Sequence, residues 1–172
     1  DGVADENLSR LGKNAQVLSF NQAQPLCRRH GSNRQLLLVL KGQVRLVVFS
    51  NLFPKKIGTL DFVGPGQMLG WCDLVGLGQQ ESALASEKTT ILSIPFNDLY
   101  ELIKESKLVR NRISSSIPSS ALFYILEKWT ESCPINLSQS LPKLCKTLNP
   151  HTKLKHFTLQ SFSDNKTLPK DQ

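Results

Sequence analysis

Between residues 16 and 95 the chain alternates short apolar runs with turn residues. "QVLSF", "QLLLVLKG", "QVRLVVFS", "KKIGTLD" and "TTILSIP" are rich in Val, Ile, Leu and Thr and bounded by Gly, Pro, Asn or Ser, the pattern of short strands. In "QVRLVV", Val44, Leu46 and Val48 alternate with Gln43, Arg45 and Val47, as a half-buried strand requires. "LLLVL" and "QVRLVV" flank Lys41-Gly42, which predicts a hairpin turning where glycine takes positive φ at little cost. Several strands at this spacing predict an antiparallel barrel or jelly roll.

After Pro95 the period lengthens. "PFNDLYELIKESKLVRNRISSSI" sets Leu99, Leu102, Ile103, Leu108 and Ile113 at helical steps, with Asn97 or Asp98 available as a cap. A second helix is predicted over 119–132, with Leu122, Ile125, Leu126 and Trp129 on one face and Pro134 beyond its end. "LSQSLPKLCKTLN" predicts a third, shortened or kinked by Pro142. "KLKHFTLQSF" alternates like a further strand, and "SDNKTLPKDQ" reads as a polar tail or linker. The pattern divides into a helical lead-in (1–15), a strand-rich unit ending in helices (16–132) and a helical, basic extension or linker (133–172). The fold class expected is α+β: an antiparallel jelly roll with flanking N- and C-terminal helices.

Composition narrows the function classes. The 172 residues, 40% of them hydrophobic, suffice for one buried core with an appendage. No apolar run approaches the roughly 20 residues of a membrane span, and the acidic N-terminus has neither the basic nor the apolar region of a signal peptide. The chain begins without methionine, as an excised fragment would. The net charge of +7 is concentrated beyond residue 100 without a block of Lys/Arg, so it is read as a solvated basic face, not a nucleic-acid surface. Cys27, Cys72, Cys133 and Cys145 form no C-x-x-C, and His30, His151 and His156 form no H-x-H. Cys27 and His30, three apart, lack an acid or oxyanion partner. These patterns point away from a metal, a cofactor and catalysis.

One stretch carries candidate chemistry: "GPGQMLGWCDLVGLGQQESALAS", Gly64 to Ser86. With "LLLVLKGQVRLVV" before it and "TTILSIPFNDLYELI" after it, it resembles cyclic-nucleotide-binding domains over roughly 11–130. That family's phosphate-binding cassette is similar in outline to "F-G-E-x-x-L … P-R-x-A-x-x-A". The resemblance implies a Gly whose backbone lies close to the cyclic phosphate, a Glu on the ribose hydroxyl and an Arg on the phosphate. Here Leu69-Gly70 match Phe-Gly, Trp71 stands at the Glu, Leu74 fits the apolar position, and Glu81, or one of its neighbours Gln79 and Gln80, stands where the Arg is expected, ahead of Ser82-Ala83. The candidate ligand pocket is thus Gly70, Trp71, Cys72, Asp73, Leu74, Glu81, Ser82 and Ala83.

A carboxylate for a guanidinium reverses the field at the phosphate, so cAMP and cGMP are not expected to bind in the usual way. Lys88 and Arg34 are the nearest basic residues able to offset this. The helix over 119–132 occupies the place of the family's dimer seam, which makes Leu122, Tyr124, Ile125 and Trp129 candidate interface residues. "G-W-x-x-L … E-x-A-x-A-S" also resembles degenerate N-terminal domains of cyanobacterial peptide- or bacteriocin-exporting ABC transporters that carry a peptidase. The expectation is a noncatalytic cytoplasmic regulatory or interaction domain. Its partners would be other domains of a larger transporter chain and a second copy of itself, with no nucleic acid and no insertion into the membrane by this segment. Two alternatives stand beside it: a genuine cyclic-nucleotide or small-anion sensor, and a fragment of a Crp-type transcription regulator.

Overall fold

A computed structural model describes residues 5–31, 34–49, 57–114, 117–132 and 141–149. Helix α1 (Asp5–Asn14) leads into β1 (Gln16–Phe20), β2 (Pro25–Cys27), β3 (Gln35–Lys41), β4 (Val44–Phe49), β5 (Ile57–Val63) and β6 (Met68–Leu69). A single-turn helix α2 (Trp71–Leu74) precedes β7 (Ser82–Ala85) and β8 (Thr89–Pro95). Four helices follow: α3 (Phe96–Glu105), α4 (Lys107–Ser114), α5 (Ser119–Ser132) and α6 (Leu141–Leu148). The eight strands form two four-stranded antiparallel sheets, ordered β1-β8-β3-β6 and β2-β7-β4-β5. This is the expected jelly roll with flanking helices.

The expected β3–β4 hairpin does not form. β3 pairs with β8 (Val39 opposite Ile91), whereas β4 pairs with β7 (Val44 opposite Ala85) and with β5, so the Lys41-Gly42 turn carries the chain from one sheet to the other. Gly42 has φ of +87°, and a Cβ there would lie 2.6 Å from the carbonyl oxygen of Lys88, so only glycine fits this crossing. Alternation in β4 identifies its buried face correctly, with Val44, Leu46 and Val48 all in the core; it carries no information about the partner strand.

The space between the sheets is filled. Leu37, Val39, Leu69 and Ile91 from the first sheet meet Leu46, Leu60, Val63 and Ala83 from the second, and Leu122 and Phe123 of α5 and Leu141 and Cys145 of α6 join the same cluster. α6 starts at Leu141, directly before Pro142, and is therefore short, as the proline predicts. A second core forms where α2, α3 and α4 pack against Leu36 and Ile94.

The predicted long helix after Pro95 is two helices. Pro95 itself stands at the cap of α3 with no side-chain cap bond; Asp98 lies in the first turn, where its charge suits the helix dipole, and accepts from Asn14 Nδ2 at 3.1 Å. Ser106 is extended (φ −105°, ψ 109°) and interrupts the run. Its Oγ then accepts the Val109 N–H at 3.3 Å to begin α4, while Arg110 closes α3 through the carbonyls of Ile103 and Lys104. The break resets the helical phase, and Leu108, expected on the apolar face, is 52% exposed. "KLKHFTLQSF", the tail, His151, His156 and Cys133 lie outside the described residues.

Candidate functional site: an anion cradle holding its own carboxylate

The cassette begins where β6 ends. Gly70 adopts φ of +89°, and a Cβ there would lie 2.6 Å from the backbone oxygen of Gln35. Any other residue would be both strained and in collision with backbone. This turn aims the buried Gly70 N–H inward ahead of α2, and the N–H meets a carboxylate: Glu81 Oε2 accepts from it at 2.5 Å. Glu81 Oε1 accepts from the hydroxyl of Ser120 on α5 at 2.8 Å, and the Gln79 side-chain amide lies 3.4 Å from Oε2. Glu81 is 3% exposed. Burial pushes its carboxyl above the ordinary value, and the bonds from Gly70, Ser120 and Gln79 pull it partly back. The position read from sequence as a charge reversal therefore has a definite structural form: the Gly70 N–H is engaged by a buried carboxyl group belonging to the chain.

Trp71, at the position of the ribose-binding Glu, turns away from this cradle. It is buried in the helical core, and its indole Nε1–H donates to the carbonyl of Ile113 in α4 at 3.1 Å. Cys72 and Leu74 are wholly buried in the same core. Asp73 is half-buried; burial raises its carboxyl, opposed by the backbone and charge of Arg34, and its Oδ2 has no partner among the described residues. Arg34 and Lys88 are both exposed, and neither reaches Glu81. The eight candidate positions thus separate: Gly70 and Glu81 meet, Trp71, Cys72 and Leu74 join cassette to helices, Asp73 lies half-buried near Arg34, and Ser82 and Ala83 line a different space.

That space is a half-open cavity of about 890 Å³. Its lining among the described residues comes from β2, β4 and β7, from Gln80 just before β7, from α5 and from the segment after β2, and none of it from the first sheet. Arg28, Arg29, His30, Tyr124, Glu127 and Lys128 supply its chemistry. Two backbone bonds hold the segment after β2: Arg29 N–H to Ser82 Oγ at 2.9 Å and His30 N–H to the Gln79 carbonyl at 2.8 Å. Arg29 Nη2 reaches Glu127 Oε2 at 2.6 Å, in an ion pair whose acid is almost fully buried.

Arg28, Arg29, Ser120 and Glu127 escaped the sequence reading, and Gln79 entered it only as a neighbour of Glu81. The one available signal was "CRRH", a basic cluster directly after a short apolar strand. Cys27 in that string has its thiol pushed up to about 12 by burial and the Glu81 charge, and its Sγ donates to the Glu81 carbonyl at 3.7 Å, so it is a packed side chain. On α5, Leu122 lies in the core, Tyr124 on the cavity, and Ile125 and Trp129 are 48% and 49% exposed.

The chain thus folds as a two-sheet jelly roll with a Gly-initiated single-turn helix and further helices packed against it. The profile of the cyclic nucleotide-binding domain family matches residues 17–106, β1 through the end of α3, and the chain belongs to that family. It is 29% identical over 115 residues to the cyclic AMP receptor protein of Thermus thermophilus, a match covering 66% of this chain and 52% of that protein. The chain thus spans about half the length of the curated relative it matches. The crystal structure of the Thermus thermophilus catabolite activator protein superposes with a TM-score of 0.55 at 25% identity, covering 76% of this chain and 57% of that one. A regulatory subunit of a cAMP-independent protein kinase A from Trypanosoma brucei shares the fold, with a TM-score of 0.61 at 13% identity over 74% of this chain and 46% of that one. Among the described residues no helix is long and apolar enough to cross a membrane.

Proposed function

We propose that this chain is a noncatalytic regulatory or protein-interaction module whose nucleotide cassette is filled from within, so that it does not take cAMP or cGMP in the usual way. The observation that supports this is the Glu81 carboxylate on the Gly70 N–H and the Ser120 hydroxyl. A cyclic phosphate entering the same cradle would have to expel a carboxylate that is covalently attached, hydrogen-bonded and of like charge. The Trypanosoma relative supports the idea that the fold can be kept without cAMP control, since that kinase is described as cAMP-independent.

The wider chain is read as a larger regulatory protein. The cyclic AMP receptor relative favours the sensory half of a Crp-type regulator at least as strongly as the "G-W-x-x-L" string favours the cytoplasmic front end of a peptide-exporting transporter. Calorimetry with cAMP and with cGMP tests the reading: no heat of binding is expected at millimolar nucleotide. Glu81→Arg is expected to create binding that raises the melting temperature in proportion to nucleotide added. Submillimolar binding to the unaltered protein would overturn the proposal.

A further inference from the structure

The first turn of α5 is tied to the roll by two neighbouring hydroxyl–carboxyl bonds. Ser119 Oγ donates to Asp61 Oδ2 on β5 at 2.6 Å, and Ser120 Oγ donates to Glu81 Oε1 at 2.8 Å. Asp61 is partly exposed, whereas Glu81 is 3% exposed. The Glu81 carboxyl meets the Gly70 N–H, the Ser120 hydroxyl and the Gln79 amide, and no Lys, Arg or His among the described residues reaches it. The titratable groups around it are Cys27 on β2 and Cys72 and Asp73 on α2. Burial and the Glu81 charge push both thiols up, so they keep their protons, and Asp73, which feels Arg34, adds a like charge. Farther along α5, Glu127 is paired with Arg29.

Hydrogen bonding at this junction accommodates either protonation state. As a carboxylate, Glu81 accepts from Ser120, while the Cys72 thiol, 3.7 Å from Ser120 Oγ, donates to that hydroxyl. With a proton on Oε1 the direction reverses: Glu81 donates to Ser120 Oγ, the hydroxyl turns to Cys72 Sγ, and Oε2 still accepts from Gly70. Turning one hydroxyl keeps every partner, so the two states differ chiefly in charge. A buried carboxyl with no cation beside it favours the neutral state, and ionisation places an uncompensated charge out of water. Relief comes from moving one side of the junction. β7, which begins at the residue after Glu81, is hydrogen-bonded on both edges, to β2 and to β4. A helix has no such ladder to the roll, so α5 is the side that yields.

We propose that Gly70, Glu81 and Ser120 form a proton-operated clasp: with its proton, Glu81 holds the first turn of α5 against the cassette, and release of that proton to solvent frees the turn. The clasp rests on Glu81 filling the cassette and adds a control to it, because the proton sets how firmly α5 is held.

Hydrogen exchange of the full chain, read by mass spectrometry over a pH series starting below 4.5 and scaled to unstructured peptides at each pH, tests it. An exposed Glu81 ionises near 4.5 and the clasped one only at higher pH. Opening of α5 is therefore constant below 4.5, rises by up to about tenfold per pH unit above it, and levels off once the clasped carboxyl has itself ionised. This exchange should be indifferent to low urea, as local opening is, whereas exchange in β3 and β8 should respond to it. Glu81→Gln has no proton to lose and is expected to keep α5 at its most protected level throughout. Asp73→Asn is expected to retain the pH step. Protection of α5 that is flat in pH, a step that survives in Glu81→Gln, or one that vanishes in Asp73→Asn refutes the clasp. A parallel cAMP titration separates the two ideas: submillimolar binding overturns the filled cassette, whereas silent nucleotide with flat α5 protection overturns the clasp alone.

Discussion

Replacing Glu81 separates its role as a hydrogen-bond acceptor from its role as a charge. Glu81→Ala removes the acceptor of the Gly70 N–H and of the Ser120 hydroxyl, both buried. The Gln79 amide keeps a second acceptor, the Glu81 main-chain carbonyl at 3.2 Å, and the Ser120 hydroxyl keeps only its long contact with Cys72 Sγ at 3.7 Å, so the Gly70 N–H is orphaned and Ser120 is left with a weak partner. With the weakened Ser120 bond offset by relief from deleting a buried carboxylate, the loss is that of the one orphan, ~1–3 kcal/mol. Glu81→Gln preserves the shape: its carbonyl can accept from Gly70 and its amide can donate to Ser120 Oγ.

The charge then shows in the pH dependence. Burial raises the folded carboxyl of Glu81 above its ordinary 4.5, so the folded state binds a proton more tightly than the unfolded chain does. The contribution of Glu81 to stability is therefore fully present below 4.5 and is lost as pH rises through the raised folded value. Glu81→Gln lacks this loss, so relative to the unaltered protein it gains stability toward neutral pH, and the two converge in acid. Urea denaturation followed by tryptophan fluorescence over a pH series measures both effects. Asp73, also raised, titrates in both proteins, and its charge enters the Glu81 shift only as the last of the causes, after burial and the three hydrogen bonds. A Glu81→Ala loss below ~0.5 kcal/mol, or a Gln-minus-Glu difference flat in pH, would refute the account of Glu81 as a buried internal anion.

Trp71→Phe is expected to cost ~1 kcal/mol through the lost indole bond to Ile113, and Trp71→Ala ~3–5 kcal/mol through the emptied helical core, both read by denaturation midpoints. With the Cys27 thiol at about 12 against an ordinary 9.0, its thiolate fraction at mildly alkaline pH is down about a thousandfold. Alkylation of Cys27 in the native protein should accordingly be undetectable until denaturant is added; prompt labelling would contradict the burial. Ile125→Ser with Trp129→Ser removes the two exposed apolar residues of α5 and should leave the melting temperature nearly unchanged. If α5 is a dimer seam, the double variant sediments as a monomer where the unaltered protein sediments as a dimer; identical sedimentation excludes this face.

The jelly roll was legible because each long strand carries its own alternation and its own bounding turn. β2 and β6, three and two residues long, are too short to show a period and are held by partners instead, Pro25 opposite Leu84 and Leu38 opposite Met68. Strand partnership was not legible for the reason the hairpin failed: pairing is a property of two segments, and the chain advertises only one at a time. Glu81 was legible as an anomaly in the cassette, but its acceptor role depends on Ser120, 39 positions away. Glu127 was equally out of reach, since the Arg29 that makes its burial tolerable lies 98 positions upstream. In α5 the periodicity picked out a stripe, yet the turn of the helix against the roll buries Ser120 and Glu127 and leaves Ile125 and Trp129 outside.

If the cassette is filled as proposed, the carboxylate on the Gly70 amide acts as a competitor that never leaves. Its local concentration is set by the ten residues between Gly70 and Glu81 and by no cellular pool; flexible tethers of that length hold a group at millimolar levels, and a folded loop holds it far higher. A diffusing anion at micromolar concentration meets a site already saturated by a resident with no washout. On the proposed reading, what in a sensor would be a dial turned by metabolite supply is a setting written into the gene, changed by mutation or by moving α5 away from Glu81, and blind to nucleotide supply.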